Sequence, residues 1–474
     1  MLQRRLLLSH RLPDLGLRRG LATQQPPLSD GSCERYDIAI VGGGPAGCTM
    51  AAALGSLDAM SHMRIALIDS GKLSDIRKWE PPIDTYLPRT LQITASNQRF
   101  LKRLGIWHWC FEDRIQGYSR AVVTDALGKG KIDLDAPNAY SGDPAFMIET
   151  KNLVSGLLKA IDHNGSCIDV LERSKVVNMA SASSTNANPA AVKWPTITLS
   201  DNRQLQARLV IGADGANSCI RKYANIGTYG AKYAQYGLVA TLCLQEPISA
   251  AFQRFLPTGP IAMLPFPGGF ANLVWSLDAD LIQLLKSRIS SDIVNAAFRL
   301  SPIEMDRIYD LLRTDASTEL ITNEIAWRLQ SNANATNDSS APPLVAAVMA
   351  KSSFPLQLRL VDSLTADRVA LIGDAGHVMH PLAGQGLNMG LEDVQCLVQV
   401  LEGAATSGED IGVVLDRYNS QRYVRNLAMQ GIVDKVWHVF GARSSLVASL
   451  RSLAMNGLDH LPVIKSRMIH AFMQ

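Results

Sequence analysis

Apolar and polar positions along this chain follow two periods. Four short apolar runs have the length and continuity of strands covered on both faces: residues 36–41, 64–69, 205–211 and 369–372. Each run ends in glycine or aspartate. The first enters Gly42-Gly43-Gly44-Pro45-Ala46-Gly47, followed by an alanine-rich stretch from Cys48 to about Leu57 that reads as a helix. The second ends in Asp69, and the third in Gly212-Ala213-Asp214-Gly215 with Arg221 just beyond. The fourth runs into Gly373-Asp374, a loop containing Pro381, Gly384 and Gly386, and an apolar helix from near Leu387.

Between these runs the pattern is looser. Residues 72–88 are polar and broken by proline, which predicts a loop. Arg89 then opens a predicted helix whose apolar face is Ile93, Leu101, Leu104, Gly105 and Trp107. On pattern alone Arg89 is either a solvated cap or a cofactor contact. Residues 118–140 read as strands with a turn at Gly128-Lys129-Gly130. No buried strand feeds that turn and no apolar helix follows it. Residues 147–161 read as an amphipathic helix, and 196–199 with 205–211 as a hairpin around Asp201-Asn202.

Residues 235–280 alternate with period two, as one half-buried face of an antiparallel sheet does. That face either walls an apolar pocket or packs on a neighbouring domain. The chain is helical over 280–328, returns through Phe354-Pro355-Leu356, and is helical again from 394 to its end. Ile432, Val433, Val436, Val439 and Phe440 form one stripe there. Residues 180–191 and 331–343 are low-complexity surface insertions.

Composition narrows the class. A chain of 474 residues with 19% charged and 47% hydrophobic residues is globular, with material for two or three domains. No apolar run approaches the roughly 18–20 residues of a membrane-spanning helix. The first 25 residues carry Arg4, Arg5, Arg11, Arg18 and Arg19 against Asp14, the pattern of a mitochondrial transit peptide. Those five bases less one acid give +4, leaving the body near −1 of the formal +3. That leaves no basic excess for nucleic acid. From residue 425 on, six bases face two acids, so the tail either rests on an anionic membrane or partner or is a helical layer over the sheet. Seven widely spaced cysteines without a metal-ligand pattern predict buried small hydrophobes in a reducing compartment, with no disulfide framework and no metal.

The first motif is the dinucleotide fingerprint in full context: strand, glycine turn, helix, second strand and acid. Gly42 makes the turn, Gly44 admits a pyrophosphate and Gly47 lets helix and sheet pack. Asp69, 22 residues beyond Gly47, can accept from ribose hydroxyls. The late strand, acid, glycine turn and helix start make a second anion-accepting unit.

Together, the fingerprint, Gly212 to Arg221 (GADGANSCIR) and Gly373-Asp374 resemble the class A flavoprotein monooxygenases. The resemblance spans essentially the whole chain after the presequence. It implies an α/β fold of the 4-hydroxybenzoate hydroxylase type: a Rossmann-like FAD-binding domain, a mixed β-sheet substrate domain and C-terminal helices. The string His380-Pro381-Leu382-Ala383-Gly384-Gln385-Gly386-Leu387-Asn388-Met389-Gly390 with Asp393 is similar to the signature of the mitochondrial ubiquinone-biosynthesis ring hydroxylases. RFLPTGPIAMLP and VWS resemble their substrate sheet. Asp69 where glutamate is commoner, Asn97 where serine is usual, and the two insertions are the departures.

The resemblance divides the chain into a transit peptide (1–28), FAD-binding segments (36–118, 145–233 and 363–405), substrate-domain segments (119–144 and 234–362) and a C-terminal helical region (406–474). It assigns FAD to Gly42, Gly44, Gly47, Asp69, Arg89, Asp214, Gly215, Arg221, Gly373, Asp374, Gly384, Gln385, Gly386, Leu387 and Asn388. Arg89 thereby becomes a cofactor contact. Substrate contacts fall to Phe255, Pro260, Leu264, Trp275 and Phe354. No side chain stands out as an acid or base, and Pro381 offers a backbone contact to the phenol.

The implied reaction hydroxylates ring position 5 of a 3-polyprenyl-4-hydroxybenzoate-type phenol with dioxygen through a flavin C4a-hydroperoxide. Reductant comes from NADPH or from a ferredoxin and ferredoxin reductase system. The implied location is peripheral, on the matrix face of the mitochondrial inner membrane, within a ubiquinone-biosynthesis complex. The alternatives are a same-fold flavin hydroxylase for another aromatic and a non-catalytic prenyl-binding carrier.

Overall fold

A computed structural model describes residues 33–128, 130–135, 144–164, 167–180, 194–230, 232–331, 340–380, 384–442, 444–461 and 465. The presequence, most of both polar insertions and Pro381 lie outside the described residues. The chain begins with β1 (Glu34–Val41), α1 (Pro45–Gly55) and β2 (Ile65–Ile68). β3 (Thr90–Thr94) and α2 (Ala95–Arg103) follow, then β4 (Arg120–Asp125), β5 (Lys131–Asp135) and β6 (Ala145–Glu149). α3 (Thr150–Asn164) leads to β7 (Ile168–Leu171) and β8 (Gln204–Gly212). Next come β9 (Lys232–Leu244), β10 (Ala250–Leu256), β11 (Gly259–Phe266) and β12 (Phe270–Asp278). Four helices succeed them: α4 (Ala279–Arg288), α5 (Ser291–Arg299), α6 (Pro302–Arg313) and α7 (Thr318–Ser331). β13 (Val345–Gln357) and β14 (Val369–Leu371) return the chain to α8 (Gln385–Ser407), α9 (Leu415–Gly441) and α10 (Ser445–Asp459).

Two sheets organise the protein. In the first, β14, β8, β1, β2 and β7 lie side by side and parallel. β1, β2, β14 and the end of β8 are apolar and buried over most of their length, as strands at the centre of a parallel sheet are. The register aligns the strand ends: Val41 stands opposite Ile68 and Gly212, and Gly212 opposite Leu371. The glycine and aspartate turns therefore leave the sheet at one level. The hairpin at Asp201-Asn202 forms as the pattern predicts, with Thr196–Leu199 antiparallel to β8.

The second sheet is mixed and seven-stranded, in the order β13-β9-β12-β11-β10-β4-β5. Alternation along its strands sends Leu238, Ala240, Leu242, Ile261, Met263, Leu273 and Trp275 into one core with α4–α7. The opposite face turns toward the parallel-sheet half. Thr241 Oγ1 donates to the Tyr86 carbonyl at 2.8 Å and Asn272 Nδ2 to the Pro88 carbonyl at 3.1 Å. Arg114 pins the same loop, donating to Glu149 at 2.7 Å and to the carbonyls of Pro82 and Thr85.

Several sequence expectations change here. Arg89 does not open a helix: residues 90–94 pair with β6, and the helix starts at Ala95, capped by Thr94. Thr90, Ile93 and Thr94 are β-branched, and a pairing partner overrides their helical spacing. Likewise Met147 and Ile148 belong to β6, and the amphipathic helix begins at Thr150. The loop 72–88 holds a short helix, Leu73–Arg77. Only Cys48, Cys110 and Cys396 are buried, and Cys33 is exposed. The C-terminal stripe splits: Val433 is buried while Ile432 and Val439 face outward. Among the described residues no helix is long and apolar enough to cross a membrane.

Candidate active site

Four adjacent strand ends build the site. After β1, Gly42 donates to the Ile68 carbonyl at 2.8 Å with φ +116°. A Cβ there would strike the Ala213 backbone, and one on Gly47 would strike the Gly42 carbonyl. Both glycines are demanded by the protein's own packing. Gly44 is different. It is the N-cap of α1, its backbone is extended, and nothing lies within 4 Å of where a Cβ would stand. The free N–H groups of α1 and this open space make a seat for an anion. Asp69, after β2, steadies the turn: its carboxylate accepts from Gly43 N and Gly71 N, each at 2.6 Å.

After β8, Asp214 Oδ2 accepts from Cys219 N at 2.6 Å and Ile220 N at 3.3 Å, while its Oδ1 is buried without a partner. Gly215 has φ +78° and open space around it. Arg221 is buried and donates to the carbonyls of Ala375 at 2.8 Å and Ala216 at 2.9 Å. It staples the turn after β8 to the turn after β14.

After β14, Gly373 takes φ +57° and packs against Ala46 and Gly390, bringing the starts of α1 and α8 together. Asp374 is exposed on one side and hemmed in by protein on the others. Burial pushes its carboxyl above the ordinary value, with His377 pulling the other way. Behind this turn lies a dense hydrogen-bonded network centred on Asp393, in which His377 Nδ1 is buried without a partner. Asp393 accepts from His377 Nε2 at 2.5 Å, Gly373 N at 3.1 Å, Arg422 Nε at 2.8 Å and Asn426 Nδ2 at 3.2 Å. Arg422 also pairs with Glu392 at 2.7 Å. Burial alone would raise Asp393, but His377 and Arg422 outweigh it and hold the carboxyl below its usual range.

Gly384 caps α8 with φ +60° and lies against the Gln92 side chain of β3. Asn388 uses every hydrogen-bonding position it has. Its Oδ1 accepts from Thr94 N and Asn97 Nδ2, both at 2.9 Å, and its Nδ2 donates to Gln92 O at 3.0 Å and Gly384 O at 3.2 Å. Its side chain therefore fixes the loop instead of reaching a ligand. Gln385 is buried, and Gly386 and Leu387 are half-buried in the first turn of α8. Arg89 is exposed, and among the described residues it pairs with no carboxylate.

On the large sheet, register and alternation sort the apolar candidates. Phe255 opposes Pro260, Leu264 opposes Asn272 and Phe354 opposes Gly237, all on the face turned toward the parallel-sheet half. Trp275 opposes Leu238 on the other face, fully buried among helices, and shares no surface with them. Phe255 and Pro260 also line a cavity of about 320 Å³ with Leu256, Pro257, Trp437 and Phe440. His380 is buried with neither ring nitrogen partnered, edge-on to Tyr233, and burial pushes its imidazole down to about 4, so it is neutral at physiological pH. Among the described residues no His, Cys, Asp and Glu cluster could hold a metal.

Sequence reading missed His377 and Arg422. His377 follows Gly373 by four residues, so its place beside the turn was a local signal. Arg422 comes from a separate helix and left none.

The chain matches the family model described as FAD binding domain over residues 35–431. It is 35% identical to the ubiquinone biosynthesis monooxygenase COQ6, mitochondrial, of Saccharomyces cerevisiae, with 96% of each chain covered. The protein of that name from Homo sapiens is 32% identical, with 92% of each covered. Among solved structures it is similar in fold to p-nitrophenol 4-monooxygenase PnpA from Pseudomonas putida (TM-score 0.66, 15% identity, 93% of this chain and 98% of that one). It is similar also to PqsL of P. aeruginosa in complex with 2-aminobenzoylacetate (TM-score 0.63, 18% identity, 90% of this chain and 100% of that one).

Proposed function

We propose, for a chain that belongs to the FAD binding domain family and to its mitochondrial ubiquinone biosynthesis monooxygenases, that the strand-end cluster seats FAD for hydroxylation at ring position 5 of a 3-polyprenyl-4-hydroxybenzoate-type phenol. Membership makes it an FAD-dependent aromatic monooxygenase of ubiquinone biosynthesis. The observation that supports the assignment of the site is the row of strand ends at one level, where Gly44 and Gly215 border open space and Asp214 Oδ1 and Asp374 lack donors among the described residues.

The residues present fit FAD. Gly44 and Gly215 leave room for backbone approach, the α1 N-terminus offers N–H groups to the pyrophosphate, and the orphaned Asp214 Oδ1 lacks a donor that a ligand could bring. Asp69 would accept from ribose hydroxyls and Asp374 from the ribityl chain, while Arg89 would answer phosphate charge. When bound, FAD supplies the electrons and the activation of dioxygen. The chain's own work is positional. Asn388 locks the backbone of Gly384–Asn388, and Asp393 locks the Gly373-Asp374 turn, so the ring-facing segments are set before substrate arrives. Phe255, Pro260, Leu264 and Phe354 present an apolar surface to the phenol. The 82–88 loop, tied to the sheet by Thr241 and Asn272, closes that side against water.

Only one dinucleotide fingerprint exists, so reductant comes from transiently bound NADPH or from ferredoxin with its reductase. The protein works peripherally at the matrix face of the inner membrane, within a biosynthetic complex. Purified protein comprising residues 24–474 should carry flavin absorption in the visible. A water-soluble short-tail 3-prenyl-4-hydroxybenzoate should yield catechol with NADPH alone or with the ferredoxin system, and the productive arm identifies the donor. A colourless protein that FAD cannot reconstitute would overturn the reading.

A further inference from the structure

The last helix has its polarity inverted. α10 lies against the β4–β5 hairpin, and the contacts it makes inward are largely polar. Arg451 makes a bidentate pair with Asp125, with both contacts at 2.8 Å, and donates to the carbonyls of Val439 at 2.7 Å and Phe440 at 3.1 Å where α9 ends. Asn456 accepts from Lys131 N at 3.0 Å and Asp459 from Asp133 N at 2.9 Å. Gly128 and Gly130 form the seat: a Cβ on the first would meet Ser452, and one on the second Met455. Gly128 and Gly130, at the turn no buried strand feeds, are a bed for this helix.

The outward side is dominated by apolar residues. Leu446, Leu450, Leu453, Ala454 and Gly457 recur at helical spacing and are all exposed. Leu446 is 70%, Leu450 60% and Leu453 72% exposed, and Leu461 beyond the helix end is exposed too. Ser449 places one small hydroxyl among them, and no charge interrupts them. A helix serving only as a structural layer would turn its leucines inward. This one is fixed by ion pair and amide contacts and leaves its leucines to solvent.

We infer that α10 is the element by which this protein docks on an anionic lipid bilayer, its leucines entering the headgroup boundary. The inference rests on the peripheral location proposed above and assigns the face that makes contact. Charge complementarity selects lipid as the occupant. Neighbouring α9 exposes Arg425 and Lys435, and among the described residues neither pairs with a carboxylate. Val424, Leu427, Ile432 and Val439 of α9 are exposed as well. Exposed leucines on α10, with exposed cations and apolar residues on the adjoining α9, make up the composition of an interfacial surface on anionic lipid. The cavity lined by Phe255, Pro260, Trp437 and Phe440 reaches the α9–α10 junction at Gly441 and Ala442, so apolar surface continues from it toward the docking helix.

Flotation of residues 24–474, which retain every described element, tests this with vesicles of phosphatidylcholine alone and of phosphatidylcholine with phosphatidylserine. The parent should float with the anionic vesicles, and L446D/L450D/L453D should bind them about tenfold less. That variant should keep its flavin spectrum and its turnover of a short-tail substrate. R425E/K435E should lose the preference for anionic over neutral vesicles. A parent and triple variant that float equally would overturn the assignment of α10 while leaving peripheral location standing. A parent that floats with neither vesicle would overturn both. A parent dimer in sedimentation that L446D/L450D/L453D dissolves would replace lipid with a second copy of the chain.

Discussion

The residues that face the cofactor space and those immediately behind them are made of similar chemistry and used in opposite ways. In front, Asp374 has no donor among the described residues, Asp214 keeps one oxygen orphaned, and Gly44 and Gly215 border empty space. Behind, Asp393 takes four donors and Asn388 fills all four of its positions. An unsatisfied buried polar atom such as Asp214 Oδ1 costs free energy unless something answers it, so that atom, the donorless Asp374 and the open space at Gly44 and Gly215, backed by the filled Asp393 and Asn388, mark where a ligand belongs. The rear row determines geometry, and the front row keeps its hydrogen-bonding capacity for the ligand.

The contrast can be broken from behind first. Arg422→Met leaves Asp393 buried with less of its counter-charge. Urea unfolding of the apoprotein should show a loss of about 3–5 kcal/mol, the usual cost of stripping one partner from a buried pair. Gly44→Ala attacks the front row. Apoprotein stability should move by no more than about 1 kcal/mol, because the new methyl meets nothing and only the N-cap preference changes. FAD affinity by fluorescence titration should fall at least about tenfold, roughly 1.4 kcal/mol. Equal losses in both measurements would erase the distinction between the rows.

The smallest effect is a pH dependence of opposite sign in the two rows. Asp374 has a raised folded value, so above the ordinary carboxylate value the folded protein holds its proton longer than the unfolded chain does. Its contribution to stability therefore declines as pH rises through that window. Asp393 has a lowered folded value, so its contribution is present above the ordinary value and is lost as pH falls below it. The urea midpoint of Asp374→Asn apoprotein should exceed that of the parent by more at about pH 7 than at about pH 5. A gap that stays constant with pH would place the charge of Asp374 in a well-solvated setting.

What the sequence made legible follows this division. The front row is local: a strand, a glycine and an acid within a few residues report themselves as a pattern, and the strand-end turns appear where the apolar runs end. The rear row is assembled across the chain. Arg422 meets Asp393 from a different helix, and Asn388 finds its donors at Thr94 and Asn97, nearly three hundred residues earlier. Strand alternation in the large sheet announced two faces without saying which one helices would cover, so Trp275 could not be told from Pro260. The leucines of α10 stand at helical spacing in the sequence. Their outward direction is not readable there, because it depends on Asp125, Gly128 and Gly130 in a distant hairpin.

That same seat bears on truncated forms of the protein. β5 is the last strand of its sheet, and two of its backbone N–H groups are covered by Asn456 and Asp459. A chain stopping before α10 would keep every strand-end turn yet present a bare strand edge, with Asp125 stripped of its Arg451 partner beside it. Free edges recruit other strands. Such a chain would be lost to self-association, while the chemistry encoded upstream stayed intact.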